Sequence, residues 1–374
     1  MSQWDEWLRE RASMRTKRGT ERAARVLRRA DAIDLAGNDY LGLSRDPRVV
    51  AAGVDALRRY GAGAAASRLV TGTLEVHEEL EAALADLTGQ QAAFAFSSGY
   101  AANLAAITAF VDRDTSILLD AHAHASLHDA ARASRAAYAT FVHNDAPDLA
   151  RRLHTASGRV IVAVESIYSV LGDAAPLREI ADICAKYGAL LVVDEAHGVG
   201  VAGAGRGLVH ALGLAGAPDV VVTATLSKSL GSQGGAVLGS RAVREHLLNA
   251  ARTAIFDTGL APAAAAAALE ATRIVDAEPE RVAAIGRNAE HISTILGITP
   301  SAGAVLSVPM PSPASAVAAR EELWEVGVLV GCFRPPSTPD EIARLRLTAR
   351  ADLATAQLDI ALGRVQSVLA GSAA

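Results

Sequence analysis

Of the 36 basic residues in the chain only three are lysines: Lys17, Lys186 and Lys228. Arginine serves wherever a positive charge is all that is needed, so each lysine asks for a reason. Lys17 sits in a basic N-terminal arm and Lys186 near the polar end of an amphipathic segment, and solvent exposure accounts for both. Lys228 lies in TLSKSLGSQGG, directly behind the apolar run DVVVTAT, with no other charged residue between Asp219 and Arg241. A desolvated primary amine there can lose its proton and condense with a carbonyl to a Schiff base, which a guanidinium cannot do. The plainer alternative is a surface lysine on a Gly/Ser loop.

A Schiff-base lysine behind a strand points to pyridoxal phosphate, and that cofactor makes three further demands. An anion must keep the pyridine nitrogen protonated; Asp194, closing the apolar run LLVVD, is the candidate, because a carboxylate buried there is costly without a cationic partner. The phosphate needs hydroxyls and backbone N–H groups at a helix start, and SSGYAAN (97–103), with Gly99 and Tyr100, offers them. The ring needs a flat neighbour, and His124 in AHAS (123–126) is an imidazole plate.

Other chemistries share some of these letters. DEAH (194–197) occurs in ATP-driven helicases, but that reading requires a GxxxxGK[ST] phosphate loop, and the sequence has none. HAHASLH places His122, His124 and His128 close together like metal ligands, yet no cysteine or carboxylate set completes a tetrahedron. GVGVAGAGRG (198–207) mimics a dinucleotide loop without leaving a strand directly for a helix, and no acidic residue ends a second strand about twenty residues on. A non-catalytic binding module fits the fold but leaves Lys228, Asp194, His197 and His124 without a task.

The elements that must position these residues follow from periodicity. Seven apolar runs have strand character: QAAFAF (91–96), SILLD (116–120), YATFV (138–142), RVIVAVE (159–165), ALLVVD (189–194), DVVVTAT (219–225) and GAVLG (235–239). Helical stretches such as PLREIADICAKYG (176–188), with Pro near its start and Gly at its stop, lie between them. Such alternation predicts an α/β fold with a mostly parallel sheet between helices. An Ala-rich helix around 263–278 leads to a segment of mixed texture with a Pro-rich loop, FRPPSTPDE (333–341), and a last helix from about 351. The expected organisation is an N-terminal arm (1–44), a large α/β domain (45–270) and a smaller C-terminal α+β domain (271–374). In open α/β sheets ligands bind at the carboxyl ends of strands, where Ser166, Asp194 and Thr225–Lys228 fall.

Bulk properties bound the rest. The chain has 374 residues, is 51% hydrophobic and 21% charged, and carries a net charge of −5. The acidic balance argues against nucleic acid as partner. The first residues, MSQWDEWLRERASMRTKRG, lack the apolar core of a secretory signal, and APAAAAAALEATRIV is too short and too interrupted to span a bilayer. Cys184 and Cys332 stand far apart in no ligand spacing, as in a reducing compartment. The expectation is a cytoplasmic protein bound to no membrane. The arm's Arg15, Lys17, Arg18, Arg22, Arg25, Arg28 and Arg29 form a solvated basic face that could also meet the phosphates of coenzyme A.

Taken in order, GNDYLGLS (37–44), ASRLVTGT (66–73), SSGYAAN, HASLHDA (124–130), ESIYSVLGDAAPL (165–177), VVDEAHGVGVAGAGRG, TLSKSLGSQGG and RPPSTPDEIARLRLT (334–348) resemble the α-oxoamine synthases, pyridoxal-phosphate enzymes of fold type I, over nearly the whole chain. The resemblance implies that Lys228 holds the cofactor covalently, Asp194 pairs with the pyridine nitrogen, His197 bonds the ring oxygen and His124 stacks on the ring. It assigns the phosphate to Gly99, Tyr100 and Thr225, and gives Ser166 a cofactor contact. It further implies that Arg346 clamps the amino-acid carboxylate, a bidentate task suited to arginine. Asn38, Ser337 and Arg22 become substrate contacts. SVLGD in place of Ser-Met-Asp-Gly-Asp, and GAGAAAS (61–67) in place of a Gly/Ser-rich run, depart from the family pattern without removing a required group. Within the family, GNDYLGLS, GAGRG and FRPPSTP lean toward the member that joins L-alanine to pimeloyl-CoA, or to pimeloyl on a carrier protein, with release of CO2 and the thiol, in biotin biosynthesis. Another α-oxoamine synthase, such as glycine C-acetyltransferase, is the alternative. A homodimer with sites at the subunit interface is also implied.

Overall fold

A computed structural model describes residues 2–24, 26 and 32–372. Arg25, Arg28 and Arg29 of the basic arm therefore lie outside the described residues. In chain order the strands are β1 (Ile33–Asp34), β2 (Ala92–Phe96), β3 (Thr115–Asp120), β4 (Ala137–Phe141), β5 (Arg159–Glu165) and β6 (Leu190–Asp194). They continue with β7 (Val220–Thr225), β8 (Gly235–Gly239), β9 (Val305–Pro309), β10 (Val328–Leu329), β11 (Gly331–Phe333) and β12 (Arg344–Thr348).

The seven apolar runs of the sequence form one sheet in the order β2-β8-β7-β6-β5-β3-β4. All neighbouring pairs are parallel except those made by β8, which runs against both β2 and β7. The observed strands match the expected runs to within a residue at each end. The central strands are buried on both faces, which is why they read as unbroken Val/Leu/Ile runs instead of an alternation.

Alternate residues serve two cores. Ile117, Leu119, Ile161, Val192 and Val221 face one side, packed with Ala-rich helices Gly99–Thr108 and Ala125–Ser134. Leu118, Val162, Leu191, Val193 and Val222 face the other, where Leu177–Tyr187 and the Pro47–Tyr60, Glu75–Thr88 and Pro262–Ala277 group pack. Alanine allows these helices to approach closely without losing helix propensity.

The C-terminal part carries a three-stranded antiparallel sheet, β11-β12-β9, and β1 joins β10 in a short parallel pair. The N-terminal helix Gln3–Arg18 opens on a capping box, Ser2 with Asp5, ends at Gly19 in the left-handed conformation, and buries none of its residues. The segment behind β1 is different: Leu35, Tyr40, Leu41 and Leu43 are fully buried. Among the described residues no helix is long and apolar enough to cross a membrane.

Leu191 sits on the β6 face opposite Val192 and is wholly enclosed. Leu191→Ala should cost about 2–5 kcal/mol by urea denaturation. A loss below about 1 kcal/mol would show that this face of the sheet is not close-packed.

Candidate active site

Strands β5, β6 and β7 end side by side at one edge, with Glu165 beside Asp194 and Asp194 beside Thr223 in register. A recess of about 250 Å³ opens there, and Asp194, Lys228, His124 and the start of helix Gly99–Thr108 all line it. It adjoins a wider mouth of about 520 Å³ that shares His124, His197 and Lys228 with it.

Asp194 is buried and fully engaged. One carboxylate oxygen accepts from the side-chain amide of Asn103 (2.8 Å), the other from the backbone N–H of Ala196 (2.9 Å). The same Asn103 nitrogen reaches Ser126 Oγ at 2.8 Å, and its carbonyl accepts from the Thr223 hydroxyl at 2.6 Å. Asn103 thus fixes the carboxylate while being fixed itself.

Lys228 Nζ lies 2.9 Å from His197 Nε2, and His197 Nδ1 lies 2.8 Å from the Tyr40 hydroxyl. Burial, reinforced by the charges of Lys228 and Arg346, pushes the His197 pKa well down, so the ring is neutral. The consistent assignment has His197 Nδ1–H donating to Tyr40, whose hydroxyl donates to Asn38 Oδ1 at 3.1 Å, while Nε2 accepts from Lys228. Burial also pushes Lys228 down, opposed by the anionic pull of Asp194 and Glu165, to about 8. The amine is therefore poised between its acid and nucleophilic forms near neutrality.

Helix Gly99–Thr108 points its first turn at the recess, with Ser98 Oγ capping Ala101 N–H at 3.0 Å. A Cβ on Gly99 would stand 3.0 Å from Thr225 Cβ, so glycine lets the helix start settle against β7. Thr225 and Ser227 share a 2.7 Å hydroxyl contact beside it. Free amides at a helix N-terminus with two hydroxyls make an anion cradle. Tyr100 borders the cradle and donates to Asp129 (2.9 Å). His124 caps the next helix through Ser126, 2.7 Å from its Nδ1, and burial lowers its pKa.

In the mouth, Arg346 on β12 is only 4% exposed. Its Nε donates to the Ser169 carbonyl (2.7 Å), one terminal nitrogen donates to Asn38 Oδ1 (3.1 Å), and Phe333 lies 5.5 Å from the guanidinium carbon. These contacts, with a longer bond from the other terminal nitrogen to the Tyr40 hydroxyl (3.5 Å), aim the fork and leave further donors for an incoming carboxylate. Arg22 donates to Ser337 Oγ at 2.9 Å on the rim, while Arg334 holds the carbonyls of Gly19 and Glu21.

Ser166 is the one expected cofactor contact that does not line the recess. It is fully buried, and its hydroxyl donates to Glu195 (2.7 Å), which also accepts from Val209 N–H. Both are absorbed in supporting the strand ends. Sequence reasoning missed Asn103, Tyr40 and Glu165. Glu165 ends an apolar strand as Asp194 does, a signal that pointed to it; Asn103 and Tyr40 each stood inside a quoted motif, SSGYAAN and GNDYLGLS. His122 and His128 line the mouth, and among the described residues no group of three His, Cys, Asp or Glu is placed to hold a metal ion.

The chain is similar to known proteins. The family model for class I and II aminotransferases covers residues 30–365. The chain belongs to that family. It is 52% identical over 344 residues to an 8-amino-7-oxononanoate synthase of Mycobacterium avium (strain 104), covering 91% of this chain and 90% of the relative. Among solved structures, serine palmitoyltransferase of Sphingomonas wittichii superposes with a TM-score of 0.91 at 31% identity, covering 100% and 98% of the two chains. A high-resolution structure of SPT with PLP gives 0.88 at 32% identity, covering 99% and 98%.

In cofactor-free protein, acylation of Lys228 by an amine-selective reagent should accelerate through a midpoint of about pH 8, because the neutral amine is the reactive form and burial lowers its pKa. Asp194→Asn removes the strongest pull in the other direction and should move the midpoint further down. A wild-type midpoint above about 10 would identify a solvated lysine.

Proposed function

We propose that the chain catalyses the 8-amino-7-oxononanoate synthase reaction: decarboxylative condensation of L-alanine with a pimeloyl thioester, on coenzyme A or a carrier protein, in biotin biosynthesis. The observation that carries this reading is the convergence of the Lys228 amine and the Asp194 carboxylate on one recess, with the Arg346 guanidinium in the adjoining mouth. Relatives of that name at about half identity over nine-tenths of the chain supply the choice of substrates.

The recess fits pyridoxal phosphate by its donor set: an anion cradle at one end, a buried carboxylate at another, and an amine of lowered pKa beside them. When bound, the cofactor supplies an electron sink that makes bonds at the amino-acid Cα easy to break. Lys228 would hold its aldehyde carbon. Asp194 would keep a proton on the ring nitrogen, His197 would face the ring oxygen through Nε2, and His124 would cover one ring face. Gly99, Tyr100 and Thr225 would hold the phosphate. Ser166 acts one step away, through Glu195.

Arg346 orients the carboxylate of L-alanine, and Asn38 steadies the guanidinium. The Lys228 amine would take the Cα proton; its pKa of about 8 as the free amine leaves it able both to accept that proton and to return it. His124 lies where recess and mouth meet, in reach of charge developing on the thioester oxygen. Ser337 and Arg22 receive the acyl donor at the rim.

The reading includes a homodimer in the cytoplasm. Its support is a pair of loops, bridged at Ser67 and Thr258, that expose Leu69, Val70 and Phe256 to solvent in the single chain. Two free cysteines suit a reducing compartment.

Free-thiol release should be seen with L-alanine and pimeloyl-CoA, and should fall about 10²–10⁴-fold in Lys228→Ala, the usual weight of a general base. Arg346→Lys should raise the KM for L-alanine about 10- to 100-fold, as expected for a lost charge-assisted fork. Release with glycine and acetyl-CoA, and none with the proposed pair, would assign the chain to glycine C-acetyltransferase chemistry instead.

A further inference from the structure

A second cluster of charged groups lies beside the mouth, outside the machinery described so far. His143, at the end of β4, has a carboxylate on each ring nitrogen: Asp120 Oδ1 2.8 Å from Nδ1 and Asp173 Oδ2 2.8 Å from Nε2. With an acceptor at both nitrogens, both must carry protons, so the ring is a cation. Burial opposes that charge, but the bonds to Asp120 and Asp173 outweigh it and push the pKa up to about 9.

The partners of this cation are anchored in different segments. Asp120 closes β3, is fully buried, and also accepts from the backbone N–H groups of His122 (2.8 Å) and Asn144 (3.0 Å). Asp173 belongs to a hairpin bridged at Ile167 and Ala174 and closed by Tyr168 N–H to the Asp173 carbonyl (2.9 Å). Asn144 donates to Asp173 as well, at 2.8 Å. The Tyr168 ring meets the His143 ring edge-on at 4.4 Å, and His122 stacks on its other side at 3.7 Å. The tip of this hairpin carries Ser169, whose carbonyl receives Arg346 Nε and whose N–H donates to Glu165.

We propose that His143 is a positioning residue for amino-acid binding: clamped between Asp120 and Asp173, it locks the 167–174 hairpin so that the Ser169 carbonyl aims the Arg346 guanidinium at the incoming carboxylate. The inference rests on the reading of Arg346 as the carboxylate clamp. It extends that reading to a residue that touches neither substrate nor cofactor. The hairpin has its own tie to the loop before β9, through Ala302 N–H to the Gly172 carbonyl at 2.8 Å, so losing the cation loosens its aim without unfolding it.

The test uses the holoenzyme and reads L-alanine binding from the change in the visible absorbance of the bound cofactor, which does not depend on the identity of the acyl donor. His143→Asn and, as a second route, Asp173→Asn should each weaken L-alanine binding about tenfold, the effect of misaligning one charge-assisted hydrogen bond. The KM for the acyl donor and the spectrum without amino acid should stay as in the parent. In an Arg346→Lys background, His143→Asn should add less than about a twofold further loss, because the group it positions is gone. Full additivity in that background, an equal loss for both substrates, or unchanged L-alanine binding in both single variants would overturn the proposal. Unchanged L-alanine binding in Arg346→Lys alone would instead overturn the clamp reading beneath it.

Discussion

A carboxylate buried at the carboxyl edge of a sheet is the constraint on which the rest of this structure depends. Left alone among β5, β6 and β7, the Asp194 carboxylate would be an uncompensated charge, which in so dry a place costs several kcal/mol. Two hydrogen bonds, from Asn103 and Ala196, and the nearby Lys228 amine hold the site together. Burial alone would drive the lysine further from its usual range, and Asp194 draws it partly back.

Around that pair the support divides by direction. From beneath, Asn103, Thr223 and Ser126 form a closed set of neutral hydrogen bonds that pins the acid without adding charge. From the side, Tyr40 and His197 do the same for the amine. Neutral partners suit this place, because a satisfied polar network adds rigidity at little electrostatic cost. Further formal charge lies in the mouth, at Arg346, and in the cluster behind it at His143.

How much of this was legible in the sequence depended on whether a residue's role was local. The seven strands stood out because double burial demands unbroken apolar runs, and Asp194 and Lys228 stood out as charges ending such runs. Arg346, His197 and the glycine before Tyr100 followed from motif resemblance. Asn103 and Tyr40 did not, because their roles arise from contacts with residues 91 and 157 positions away, respectively, and nothing in their own neighbourhood reports this. Ser166 shows the converse error: a hydroxyl at a strand end can turn inward to a buried glutamate as readily as outward to a ligand. His143 gave no signal either; its two carboxylates come from separate strand and hairpin ends that only the sheet order brings together.

The pairing of β1 with β10 has a consequence for biogenesis. Ile33 finds its strand partner in Val328, and Tyr40 behind it reaches both His197 and Arg346. A ribosome adding about 5–20 residues each second needs roughly 15–60 s to travel from the first of these strands to the second. Throughout that interval Ile33 and Asp34 lack their strand partners, although the central sheet is already being assembled. The β1–β10 pair can therefore close only after synthesis has passed Leu329.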